Sequence, residues 1–120
     1  MRVRALRGAV TAEEDTKDEI ISSTTELLEE MLDRNDVATD DVVFIIFTST
    51  ADLTAEFPAA AARKIGLSHI PVICARELDV AGSLPRTVRA MMLFNTDKAR
   101  EALRHVYLKE ARQLRMDLPE

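Results

Sequence analysis

The sequence predicts an α+β domain, a mixed β-sheet packed against one long helix and shorter ones. Three observations point there. The runs Val42-Val43-Phe44-Ile45-Ile46-Phe47 and Ile70-Pro71-Val72-Ile73-Cys74-Ala75, and the run from Val88 to Phe94 broken only by Arg89, are apolar and of strand length. The first reads as a central strand, the second as a further strand, and the last as a strand covered on both faces. The segment between Thr16 and Asn35 carries a long apolar stripe at helical spacing. At 120 residues the chain reads as a single domain, 1–120, with room for one modest core.

In chain order, positions 1–11 read as a strand. On a period of two, Val3, Ala5, Arg7 and Ala9 share one face, and Arg2, Arg4 and Leu6 the other. Arg7 falls beside Gly8, whose missing side chain lets another group come close. A strand-end arginine that merely reaches solvent gives the same pattern. Thr16 and Glu19 have capping-box spacing, and Asp15, Asp18 and Glu19 suit the positive end of a helix dipole. Ile20, Ile21, Thr24, Leu27, Leu28, Met31 and Leu32 then form the stripe, with Asn35 as its stop.

The strand at 42–47 ends in Thr48, Ser49 and Thr50, hydroxyls expected to bond backbone because no base accompanies them. Residues 52–57 form a turn, and Pro58 opens a short helix over 59–65, closed by Gly66. Phe57 reads as a core anchor, and Arg63 and Lys64 as solvated residues near a helix C-terminus. Cys74 reads as a small buried hydrophobe, since no Cys-His or Ser-His-Asp pattern supports covalent chemistry. Gly82, Ser83 and Pro85 turn the chain into the Arg89 strand. By propensity the tail from Thr96 reads as one long amphipathic helix, although Arg104 to Leu108 also fits a short strand.

Arg89 is the centre of interest. A guanidinium is always charged, so an apolar strand that holds one must supply an anion. Glu77 is the nearest acid in comparable surroundings. A structural Arg89–Glu77 pair and a functional one leave the same trace in sequence. The net charge of −5 argues against a nucleic-acid partner. A single cysteine excludes an intramolecular disulfide and fits a reducing compartment. No stretch approaches the roughly 20 apolar residues of a membrane span, and the amino terminus shows no apolar leader core, so a soluble, cytoplasmic protein is expected. His69 and His105 have no second ligand at metal spacing, and no metal or cofactor is assigned.

Five short motifs stand in order along the chain. They are Arg7-Gly8-Ala9 with the following Asp15-Thr16, the segment from Asp52-Leu53 to Phe57-Pro58-Ala59, the pair Arg89 and Met91, Arg104-His105-Val106-Tyr107-Leu108, and Leu114-Arg115 with Asp117-Leu118. Together they give the chain a resemblance to chorismate mutase, in the small, monofunctional trimeric class rather than the all-helical one. The resemblance covers nearly the whole chain. It implies a ferredoxin-like topology, a trimer forming a pseudo-α/β barrel, and a strand rather than a helix at Arg104 to Leu108.

It also implies a reaction, the [3,3] rearrangement of chorismate to prephenate in phenylalanine and tyrosine biosynthesis, without cofactor or covalent step. Arg89 and Glu77 would be catalytic, the first donating to the breaking ether oxygen and the second accepting from the ring hydroxyl. Arg7 and Tyr107 would hold carboxylates, and Cys74 would lie beside the hydroxyl. Phe57, Ile73, Ala75, Arg76 and Leu114 would line the site, with Arg63 and Arg115 recruiting the dianion. Sites would lie between subunits. Some relatives carry a lysine where this chain has Ala60, so that position contributes no cation here. Two other readings keep an arginine clamp: a non-catalytic trimeric module binding a small carboxylate, and an imine deaminase built as a similar trimer.

Overall fold

The computed structural model describes every residue except 118 and 120. Leu118, the last residue of the closing motif, thus lies outside the described residues. The elements are β1 (Arg2–Thr11), α1 (Lys17–Arg34), β2 (Val42–Ser49), α2 (Ala59–Lys64), β3 (Val72–Arg76), β4 (Thr87–Thr96) and β5 (Val106–Leu108). Short 3-10 turns occupy Thr39–Asp41, Arg100–Ala102 and Lys109–Arg115. The tail is therefore a strand and a 3-10 turn, as the resemblance implied against helix propensity.

The strands form one mixed sheet in the order β3-β2-β4-β1-β5. β4 inserts between β1 and β2 and runs antiparallel to both, giving the split β-α-β core of a ferredoxin-like sheet. Outside that core, β3 pairs parallel with β2 and β5 parallel with β1. The link between β4 and β5 holds only a 3-10 turn and no crossover α-helix, so the chain turns back and β5 runs opposite to β4.

Helix α1 covers one face of the sheet. Thr16 caps it by accepting from the Glu19 N–H at 3.2 Å. The Glu19 carboxylate does not return the bond to Thr16 but accepts from the Glu13 N–H and the Ser23 hydroxyl. Ile20, Leu27, Leu28 and Met31 of α1 meet Leu6, Val10, Ile45, Phe47, Met92 and Phe94 in the core. Asn35 does more than stop the helix. Fully buried, it donates to the carbonyls of Met31 and Arg104 and accepts from the Arg104 N–H, which ties the end of α1 to the entry of β5.

Gly8 makes this packing possible. A Cβ there would stand 2.8 Å from Met31 Sδ, 3.0 Å from Leu27 Cδ1 and 3.1 Å from the Val106 carbonyl. Gly8→Ala is expected to cost about 1–3 kcal/mol, as overpacking of a tight core does. Denaturant unfolding checks this, and an unchanged midpoint would mean that α1 yields without strain.

Among the described residues no helix covers the other sheet face. Pairing partners share a face, so Ala5–Leu93, Arg7–Met91, Phe44–Leu93, Ile46–Met91 and Thr48–Arg89 place those residues opposite α1. The expectation that β4 is covered on both faces is corrected within one chain. Val88, Ala90, Met92 and Phe94 are buried, whereas Arg89, Met91 and Leu93 are only partly so. The run reflects one face built against α1 and a second face, apolar at Met91 and Leu93 but carrying Arg89, that the chain leaves open.

Candidate active site

The open face gathers four of the sequence-nominated residues. β1 supplies Arg7, β4 supplies Arg89, β5 supplies Tyr107, and Glu77 follows directly after β3. With Thr48 of β2 they line one cleft of about 270 Å³, floored by Ile46 and Met91. The pairings Ala9–Arg89 and Ala9–Tyr107 bring these rows side by side. Residues far apart in sequence become neighbours through sheet register alone.

Glu77 is anchored at both ends. Its N–H donates to the Ser49 carbonyl at 2.9 Å, extending the β2–β3 ladder past the strand. Its Oε2 accepts from the Thr48 hydroxyl at 2.5 Å and lies 3.2 Å from Arg89 Nε. The last contact is an ion pair without hydrogen-bond alignment, since Arg89 Nε is buried and has no hydrogen-bond acceptor among the described residues. Yet the Arg89 side chain as a whole is 43% exposed and that of Glu77 27%. A pair so open to water contributes about 0–1 kcal/mol. It is poorly explained as a stabilising device. An unsatisfied buried donor, by contrast, costs about 1–3 kcal/mol until an acceptor reaches it.

Arg7 is fixed through its backbone, which donates to Nδ1 of His105 at 2.9 Å. The ring must therefore be neutral at Nδ1. Burial, then the charges of Arg7 and Arg115, hold the His105 pKa below its ordinary value. A histidine with a depressed folded pKa binds its proton more weakly when folded. Its stabilising contribution is complete above the unfolded value of about 6.5 and is lost as pH falls below it. Thermal stability is expected to decline on this limb, and His105→Asn, which keeps an acceptor but cannot titrate, should flatten it. An unaltered pH profile in that variant would remove His105 from the account.

Arg115 pairs with Asp117, Nε to Oδ1 at 3.2 Å. The Asp117 hydrogen bond is the main cause raising the Arg115 pKa, with smaller help from Tyr107. Asp117 is lowered in turn, chiefly by Arg115 and to a lesser degree by the charge of Arg7. Arg115 is thus already partnered, and it lines a neighbouring pocket that shares Tyr107 with this cleft. Leu114 lies in the adjoining groove with Glu77 and Arg89.

The remaining nominees do not line the Arg89 cleft. Phe57, Cys74, Ala75 and Arg76 line a second cleft of about 250 Å³. Phe57 is 68% exposed and so is no core anchor. Ile73 is 61% exposed on the open side of β3, pairing with Ile46. Cys74 pairs with Phe47 and so faces the α1 side, away from Arg89. Burial pushes its thiol pKa up, only partly countered by the Ala59 backbone and by Arg63. A protonated thiol is a weak nucleophile. Arg63 itself is exposed at the end of α2.

Three contributors escaped the sequence reading. Thr48 bonds the Glu77 side chain, not backbone, because a strand residue projects from the sheet towards its cross-strand neighbours. Asp15 accepts from the N–H groups of Thr54 and Ala55 and from the Thr54 hydroxyl, bracing the loop that presents Phe57. These bonds, led by the Thr54 hydroxyl, hold its carboxyl below the usual range. His105 seats Arg7. For Asp15 and His105 the signal was their membership of motifs; for Thr48 there was none.

Three comparisons bear on this arrangement. A family model described as chorismate mutase type I matches residues 3–118. The chain is 50% identical over 117 residues to chorismate mutase AroH of Thermus thermophilus, covering 97% of this chain and 96% of that protein. It is 43% identical over 119 residues to chorismate mutase AroH of Bacillus subtilis (strain 168), covering 98% and 94%. A solved structure of a chorismate mutase from Clostridium thermocellum superposes with a TM-score of 0.90 at 46% identity, covering 92% of this chain and 98% of that one.

Proposed function

The chain belongs to the chorismate mutase type I family, and on that premise we propose that the Arg89 cleft is where it rearranges chorismate to prephenate. The enzyme is an isomerase serving aromatic amino acid biosynthesis. One observation supports the location above others: the buried Arg89 Nε, a donor with no acceptor among the described residues, beside a carboxylate held in place by Thr48. A [3,3] rearrangement needs no nucleophile and no base. It needs a flexible dicarboxylate held compactly and a donor aimed at the ether oxygen as that bond breaks.

Arg89 would supply the donor, and its rigid fork suits the task better than a point charge. Glu77 would accept from the ring hydroxyl and balance the positive character growing on the ring. Arg7 and Tyr107 would hold the carboxylates, with Arg115 in the neighbouring pocket. The arginines concentrate positive charge locally in a chain of net charge −5, which is what an acidic protein needs to attract a dianion.

The cleft lined by Arg89 and the cleft lined by Phe57 and Cys74 are separate on one chain. We propose that each is half a site, and that in a homotrimer the Phe57, Arg63 and Cys74 side of one subunit closes over the Arg89 side of the next. The apolar open face of the sheet is the surface such an assembly would bury. Among the described residues no helix is long and apolar enough to cross a membrane, and the single cysteine suits the reducing cytoplasm.

The direct test is the spectrophotometric loss of chorismate with purified protein. Rapid, saturable loss yielding prephenate is expected. A folded protein that binds chorismate without consuming it would favour the carboxylate-binding module, and turnover of an imine instead would favour the deaminase.

A further inference from the structure

Thr48 stands at the centre of the cleft, and its neighbours are set by register. Across the β2–β4 ladder its partner is Arg89, and across the β2–β3 ladder it is Ala75. Glu77 lies two residues beyond Ala75, the diagonal neighbour of Thr48, a distance a glutamate side chain can span. Ala75, with only a methyl group, leaves room for it to do so. The Thr48 hydroxyl donates to Glu77 Oε2 at 2.5 Å, and that same oxygen faces Arg89 Nε at 3.2 Å. Glu77 Oε1 has no hydrogen-bond partner among the described residues. One carboxylate oxygen is therefore committed to the protein and the other is left for a ligand.

We propose that Thr48 is a positioning residue for the rearrangement: its hydroxyl locks the Glu77 carboxylate so that one oxygen is presented to the ring hydroxyl of the substrate. This rests on the reading of Glu77 given above and deepens it. Without the bond, Glu77 is tied to the protein only through its backbone and its unaligned contact with Arg89, and its side chain is free to close fully onto the guanidinium. Arg89 would then spend its buried donor on the carboxylate instead of on the ether oxygen. Threonine suits the role because its branched Cβ restricts χ1, so the hydroxyl is held before substrate arrives.

The test is a mutant cycle on the whole protein with Thr48→Val, Thr48→Ser, Glu77→Ala and the Thr48→Val/Glu77→Ala double variant. Valine keeps the shape and removes the donor. It should lower kcat/KM about 10- to 100-fold, the range for a lost hydrogen bond to a charged group, mostly in kcat. Serine restores the donor and should stay within about threefold of the parent, well under that loss. In the Glu77→Ala background the valine substitution should cost almost nothing, because a positioning residue acts only through what it positions.

A valine variant as active as the parent, with Glu77→Ala crippled, would overturn the role of Thr48 and leave Glu77 standing. A valine penalty undiminished in the Glu77→Ala background would overturn it too. Full activity of Glu77→Ala would instead sink the premise about Glu77. Should the valine variant fail to fold, Thr48→Ala against Thr48→Ser decides: equal rates refute the proposal, and a tenfold or larger deficit in alanine, within the loss expected of that bond, supports it.

Discussion

Arg89→Lys is expected to lower kcat by about 10²–10³, the loss that follows removal of one preorganised donor to developing negative charge. Lysine keeps the charge and deletes the fork, replacing a planar donor set with a compact ammonium on a flexible stem. Substrate would still be held through Arg7 and Tyr107, so KM should rise less than kcat falls. Stability supplies the control. The Arg89–Glu77 contact is half-exposed and unaligned, so its loss should move the unfolding midpoint little. A folded variant within about threefold of the parent kcat, far short of the expected loss, would refute the catalytic role proposed for Arg89 and return the pair to structure alone.

Leu93→Glu is expected to abolish activity without unfolding the chain. Leu93 pairs with Ala5 and Phe44 on the face opposite α1, so the core loses nothing when it is replaced. If that face is the seam of a trimer, each subunit would bring an unpaired carboxylate into an apolar interface, at a cost of several kcal/mol per charge. Light scattering should then report monomer, far-UV circular dichroism should be retained, and chorismate turnover should vanish as the two half-sites part. A variant that remains assembled and active would place the subunit boundary elsewhere. A parent protein that is already a stable, active monomer would end the interfacial model altogether.

Much of the architecture was written in local pattern. The stripe from Ile20 to Leu32, the Thr16 cap and the Gly66 stop are short-range features, and α1 and α2 form where those signals lie. The run at 42–47 became β2 because β-branched and aromatic residues fit a pleated surface, and the apolar run at 88–94 became β4, paired on both sides between β1 and β2. The requirement that Arg89 meet an acid followed from the cost of an unpaired cation, and Glu77 met it. Where propensity alone spoke, it misled. Helix spacing in the tail gave way to the three residues of β5, whose backbone groups find partners on the edge of β1.

What the chain could not reveal by itself is which residues share a side. Cys74 and Glu77 are three positions apart, yet strand alternation sends Cys74 towards α1 while Glu77 turns to the open face beside Arg89. Thr48 touches Glu77 across 29 residues of sequence. No local period records such a contact, because it depends on the register of β2 against β3 and β4 together. Composition and spacing determined the elements and the demand for a counter-charge. Tertiary structure decided the rest, since the sheet is both the surface that brings Arg7, Thr48, Glu77, Arg89 and Tyr107 together and the wall that keeps Cys74 apart from them.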